Sequence, residues 1–362
     1  MALCQNYQLA LLAMLHENLQ NGDNIERPRL RVPRQFNPRT VMDNLTDEEI
    51  RLRYRLGRTA ITELYEKIKH YMEPKTKRSH AIPGISKLLA TLHFLASGSF
   101  QTTISACSGF SQPTFSQTLK HVLDGICSLT PELLHYDMSP ANLAKIKNDF
   151  YTIAEMPNVI GAIDCTHIGL IPPAEKERYY YNRKGFHSIN VQVVCDASSK
   201  ILDVVAKYPG STHDSFIFRN SHLHQRLQAG EAGNGWLLGD SGYAVKPWLI
   251  TPLLNPLTAA EDNFNSSHKA TRCIIERTFG ILKSRFRCLD KTGGFLIYKP
   301  EKVCQIIFSC CILHNYALLH KEHIEVASDL SPQIDDIIDH NRENNVEGVL
   351  IRRQLISNYF QW

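Results

Sequence analysis

Two hydrophobic periods run along the chain, and the change between them divides it. From residue 44 to about 130 the apolar spacing is helical. Thr46-Asp47-Glu48-Glu49 reads as a capping box, threonine and glutamate each satisfying the other's backbone N–H, and predicts a helix through Arg55. Ile61, Leu64, Tyr65 and Ile68 predict a second helix over 57–72, and a third spans 85–96, before Gly98. A helix over 102–107, a turn holding Gly109 and a helix over 114–126 then form a helix-turn-helix pattern. Ser111 caps the last of these, and Pro113 sits in its first turn, where the missing N–H costs nothing. Its polar residues Thr114, Gln117, Thr118, Lys120 and His121 suit a DNA groove, and equally the outer face of a plain helical bundle.

Near Pro157 the period falls to two. Residues 159–164, 188–195 and 201–208 predict strands, and the short polar connector 196–200 makes the second and third an antiparallel hairpin. A helix opening at Ser211 or Thr212 and running toward Leu227, a strand over 236–239 and a helix over 268–286 follow. Strands first paired and then alternating with helices predict a mixed α/β layer. Four segments result: an N-terminal helix and extended arm (1–43), an all-α helix-turn-helix-like domain (44–150), an α/β domain (151–320), and a tail ending in a helix (321–362).

Composition changes this picture little, but charge placement changes it more. With 362 residues, 43% of them hydrophobic, the chain is long enough for more than one core, and disorder and fibrous classes are excluded. No uninterrupted apolar run reaches the ~20 residues of a membrane span. The apolar patch Leu9 to Leu15 reads as an amphipathic helix without the flanks of a signal peptide. Ten scattered cysteines without a C-x-x-C pair point to a reducing compartment. Cys310-Cys311 with His314 reads as a buried helix face, since no second ligand pair completes a zinc site. The net charge is only +4, yet five arginines crowd residues 24–40, nine Lys or Arg lie in 265–303, and eight carboxylates mark 322–347. The acidic run reads as a solvated surface, whereas the basic ones are candidates for phosphate contact.

Four acids interrupt otherwise apolar elements. Asp164 and Asp240 each close a predicted strand, Asp214 opens the intervening helix, and Glu276 lies within the last one. Singly each has a local explanation, such as a turn cap, a helix-dipole partner, or a pair with Arg272 or Arg277. At 100° per residue, Ile275, Phe279, Leu282 and Phe286 form a stripe to pack on the sheet, while Arg272, Glu276, Gly280, Lys283 and Arg287 form the next. Carboxylates gathered at strand ends suit hard divalent cations, and a cationic line beside them suits a polyanion. P-loop, dinucleotide, zincin and nucleophile-elbow motifs are missing, which leaves those enzyme classes without support.

The motifs Gly161-Ala162-Ile163-Asp164-Cys165-Thr166-His167-Ile168, Asn182-Arg183-Lys184-Gly185, Pro209-Gly210-Ser211-Thr212-His213-Asp214 and Leu237-Leu238-Gly239-Asp240-Ser241-Gly242-Tyr243 occur in that order. Glu276-x-x-Phe279-x-x-Leu282-Lys283-x-Arg285-Phe286 and Cys310-Cys311-x-Leu313-His314-Asn315 follow. Together they resemble the DDE endonuclease domain of PIF/Harbinger transposases, and more closely the Harbinger transposase-derived nucleases that vertebrates retain. The resemblance runs from about Arg51 to Tyr316, and 35 residues separate Asp240 from Glu276, a spacing familiar in DDE recombinases.

That resemblance implies a ribonuclease H-like catalytic fold, with Asp164, Asp240 and Glu276 as the triad and Asp214 as an additional metal-binding acid. Cys165 stands where transposon copies commonly carry glycine, which leans toward a domesticated gene. The implied activity is DNA phosphodiester hydrolysis with Mg²⁺ or Mn²⁺ by a two-metal mechanism. Arg183, Lys283 and Arg287 are candidate phosphate contacts, while His167 and His213 are expected to hold structure rather than move protons. A non-catalytic DNA-binding scaffold and an active transposase are the alternatives. Expected partners are DNA and a Myb/SANT-like DNA-binding protein, with no membrane. Self-association as a homo-oligomer stays open, and the expected location is nucleus and cytoplasm.

Overall fold

The polar-capped helices and the apolar strands condense around one five-stranded sheet. The computed structural model describes residues 42–74, 81–323 and 345–361. The N-terminal helix, the basic arm and most of the acidic tail lie outside them.

Five helices come first: α1 (Asp47–Tyr54), α2 (Arg58–Ile68), α3 (Gly84–Ser97), α4 (Gln101–Ser108) and α5 (Gln112–Cys127). The capping box of α1 forms as its sequence dictates, with Glu49 N–H donating to Thr46 Oγ1 at 3.2 Å and Thr46 N–H to Glu49 Oε2 at 2.8 Å. Gly98 and Gly109 end α3 and α4 at φ of 71° and 70°, the left-handed conformation that favours glycine. Ser111 is the N-cap residue of α5, but its hydroxyl meets Thr114 Oγ1 at 2.7 Å instead of a backbone N–H. Of the polar residues expected on the outer face of α5, Thr118 is buried. Phe115, Leu119, Val122 and Ile126 are fully buried along α5.

After α6 (Pro140–Ala154) come β1 (Val159–Gly169), β2 (Ser188–Cys195) and β3 (Ile201–Pro209). Two short helices, α7 (Asp214–Arg219) and α8 (His222–Gln228), stand where one was expected, because Ser221 caps a new start by accepting from His224 N–H. Next are β4 (Trp236–Leu238), β5 (Leu249–Ile250), α9 (Ala259–Arg285), α10 (Pro300–Leu319) and α11 (Val346–Tyr359). The sheet order is β3-β2-β1-β4-β5; β1, β2 and β3 run antiparallel, and β4 and β5 are parallel to their neighbours. Every residue of β2 is buried, as a central strand covered on both faces requires.

Helix α9 extends nine residues before the expected start at His268, since Thr258 and Glu261 form a second capping box. Its stripe Ile275, Phe279, Leu282 is buried as predicted, and Phe286 beyond its end is fully buried. Arg285 is also buried, donating to the carbonyls of Glu322 at 2.7 Å and Arg55 at 3.3 Å. Helix α10 is the one helix among the described residues long and apolar enough to cross a membrane, and 67% of its apolar window is buried inside the fold. Cys310, Cys311 and His314 lie on its buried length.

Asp203 on β3 carries a pH-dependent cost. Burial raises its carboxyl to about 6, with His222 and Arg226 opposing, and Oδ2 accepts no hydrogen bond among the described residues. An acid raised in the folded state costs no stability below its unfolded pKa of about 3.9, and the cost grows as pH rises through the folded value. Asp203→Asn is therefore expected to exceed wild-type stability by about 2–3 kcal/mol at pH 8 and by little near pH 4, read by urea unfolding at both pH values.

Candidate active site

The sheet register builds the centre. Ala162 of β1 lies opposite Leu238 of the parallel strand β4, so two residues further along each chain Asp164 and Asp240 come side by side. Asp164 is not at the end of its own strand, as its sequence suggests. β1 continues to Gly169, because β2 pairs with it throughout residues 162–169, whereas its pairing with β4 ends at Ala162, two residues before Asp164. The carboxylate therefore occupies the notch where β4 stops and β1 goes on.

From the face covered by α9, Arg272 reaches into this notch. Its Nη1 donates to Asp164 Oδ2 at 3.0 Å and its Nη2 to Glu276 Oε1, one helical turn along, at 2.8 Å. The Arg272 side chain is only 8% exposed, so this fork is largely withdrawn from water. Asp164 Oδ1 accepts from Cys165 N–H at 2.7 Å. Burial first and Asp240 second hold the Asp164 carboxyl well above the ordinary carboxylate range, with Arg272 pulling the other way. Asp240 Oδ1 accepts from Gly242 N–H at 2.9 Å, and a Cβ on Gly242 would stand 2.9 Å from the same oxygen. A side chain there would crowd the carboxylate, which accounts for glycine in the Asp240-Ser241-Gly242 turn.

Asp214 enters at the first residue of α7, where Asn190 of β2 fixes it by donating to Asp214 Oδ1 at 2.7 Å and to Thr212 carbonyl at 2.9 Å. Between Asp214 and Asp164 lies Cys165, its Sγ 3.5 Å from Tyr243 Oη; burial first and the Asp214 charge second push this thiol far up. A neutral thiol is the result, a spacer rather than a nucleophile.

His167 has its Nδ1 2.9 Å from Ser188 Oγ, and burial lowers it to about 4, so it is neutral at physiological pH and holds the strand edge as expected. His213 is the N-cap residue of α7. Among the proposed phosphate contacts, Arg183 and Arg287 are exposed. The third, Lys283, has its ammonium turned to Thr166 Oγ1 at 2.7 Å, and burial lowers it to about 8.

The four acids thus gather around one part of the sheet, although among the described residues no three His, Cys, Asp or Glu side chains stand close enough to hold one metal ion. Their chemistry still fits a hard divalent cation: the donors are carboxylate oxygens, and Asp164, raised by burial first, is also repelled by Asp240 against the pull of Arg272. The sequence gives Asn190 and Gly242 no site role, and it shows Arg272 as a partner of Glu276 and a member of the cationic line but not as a bridge to Asp164. The only signals were an arginine four residues before Glu276 and a polar residue in a strand buried on both faces.

A mixed sheet with two aspartates at its centre and a glutamate on the covering helix has the parts of a DDE superfamily endonuclease, and the family model of that description matches residues 163–315. The chain belongs to this family, among its Harbinger-derived members. It is 37% identical to "Putative nuclease HARBI1" of Mus musculus, over 89% of this chain and 93% of the relative. The protein of the same name from Bos taurus is 36% identical over the same shares. "Protein ALP1-like" of Arabidopsis thaliana is 29% identical over 69% of this chain and 64% of its own. No solved structure matches the chain.

Proposed function

We propose that the protein is a divalent-metal-dependent DNA endonuclease with a ribonuclease H-like catalytic core, hydrolysing phosphodiester bonds at the notch between β1 and β4. The observation that carries this reading is the delivery of Asp164, Asp240 and Glu276 to one region by two adjacent strands and the helix that covers them. The sheet order β3-β2-β1-β4-β5, antiparallel on one side and parallel on the other, supports the ribonuclease H-like assignment.

Asp164, Asp240, Glu276 and Asp214 would hold Mg²⁺ or Mn²⁺. Bound there, the metal supplies an activated water and charge neutralisation at the leaving 3′ oxygen. The chain's own residues position these groups. Gly242 N–H orients the Asp240 carboxylate, Asn190 orients Asp214, and the backbone N–H of Cys165 turns Asp164. Exposed Arg183 and Arg287 are the phosphate contacts in this reading, while Lys283 braces Thr166 on β1. The turn between α4 and α5 gives DNA a second candidate contact.

Nicking of supercoiled plasmid tests the proposal. Wild type is expected to convert it to open circles with Mn²⁺ or Mg²⁺ and to lose this in EDTA, and Asp240→Asn is expected to lack the activity with metal present. Equal conversion by both proteins would assign the nicking to a contaminant or to another site.

A further inference from the structure

The fork formed by Arg272 has a consequence for how such a site is held before any metal arrives. Asp164, Asp240, Asp214 and Glu276 are carried by separate elements, and the buried Asp164 is repelled by Asp240 and Asp214. One guanidinium answers part of that charge. It spans from α9 to β1 with one N–H donor on each of two carboxylates, 2.8 Å and 3.0 Å away, in the planar geometry an arginine supplies and a lysine does not. Asp164 Oδ1 is already turned to its own backbone through Cys165 N–H, so Oδ2 is the oxygen that takes Arg272, whose other N–H group holds Glu276. A divalent cation held by Asp164 and Glu276 would compete with the guanidinium for carboxylate lone pairs and for their negative charge.

Accepting the metal-site reading above, we propose that Arg272 is a built-in counter-cation, which holds the acidic cluster together in the metal-free protein and is displaced from Asp164 when a divalent cation binds. The arginine and the metal then compete, and the affinity for metal is set partly by the strength of the fork. Arg272 acts here as a positioning residue, not as one that touches the substrate.

The test uses the full chain and Mn²⁺ alone, without DNA. Isothermal titration of Mn²⁺ and thermal melts with and without EDTA are compared for wild type, Arg272→Gln and Arg272→Lys. Removing the competing charge in Arg272→Gln is expected to tighten Mn²⁺ binding about tenfold and to enlarge the metal-induced rise in melting temperature, while lowering the melting temperature in EDTA. Arg272→Lys, whose single ammonium cannot span both carboxylates in the same way, is expected to fall between the two; it carries the test should the glutamine variant fail to fold. Unchanged or weaker Mn²⁺ binding in whichever variants fold would overturn the proposal. If wild type cleaves plasmid with Mn²⁺ and the variants bind the ion no more tightly, only the role of Arg272 falls. A wild-type protein that binds no Mn²⁺ removes the metal site and this proposal together.

Discussion

Asp164→Asn is expected to abolish metal-dependent cleavage, by about 10³-fold or more, while leaving the metal-free protein at least as stable as wild type at pH 8. The two halves have one cause. Asp164 lies where burial and the neighbouring Asp240 disfavour its charge, so its folded pKa stands above the unfolded one. Stability tied to this group is complete below the unfolded value and is lost as pH rises through the folded one. Asparagine has nearly the same shape and keeps an oxygen for Arg272 or for the Cys165 N–H, but it carries no charge to conceal and none to offer a cation. Initial nicking rates with Mn²⁺, set against melting curves in EDTA at pH 5 and pH 8, read both halves. A variant that cleaves as wild type does would remove Asp164 from the metal site. One that melts far below wild type at pH 8 would show that the ion pair with Arg272 outweighs the cost of the buried charge.

The sequence made the acids legible because each breaks an apolar pattern. Asp164 follows a run of strand residues, and Glu276 lies one step off a helical stripe whose other members are buried. Core helices and the antiparallel half of the sheet were readable for the same reason, their periodicity being local. What stayed hidden depends on contacts far apart in the chain. The continuation of β1 past Asp164 is decided by its pairing with β2, and the two-residue strand β5 exists only because β4 lies beside it. Local charge spacing showed Arg272 as a possible partner of Glu276. Nothing local showed that its other N–H group would cross to Asp164, 108 residues away. Lys283 shows the same limit: the helical wheel sets it in line with Glu276, but it does not contain Thr166, which the ammonium meets at 2.7 Å.

Asn315→Leu is expected to cost about 3–6 kcal/mol, a large share of the 5–15 kcal/mol that folded domains have in total. The residue lies in the Cys310-Cys311-x-Leu313-His314-Asn315 motif, and its surroundings assign it a structural duty. From the buried face of α10 its Oδ1 accepts the Ile201 N–H at 2.8 Å, while its Nδ2 donates to the carbonyls of Ile201 at 2.7 Å and Leu133 at 2.8 Å. One amide thus fixes the first residue of β3 and ties it to the helical half of the molecule. His314 repeats the pattern one position earlier, its Nε2 2.8 Å from the Ser199 carbonyl in the turn before β3. Leucine matches asparagine roughly in length and satisfies none of these groups, leaving one buried N–H and two carbonyls without that partner, each at about 1–3 kcal/mol. Asn315→Asp separates the contributions, since it keeps an acceptor for Ile201 N–H and loses both donors. Urea midpoints are expected to place wild type well above both variants. The Mn²⁺ affinity of whatever protein remains folded is expected to match wild type, because this amide anchors the edge of the sheet and the carboxylates lie at its centre.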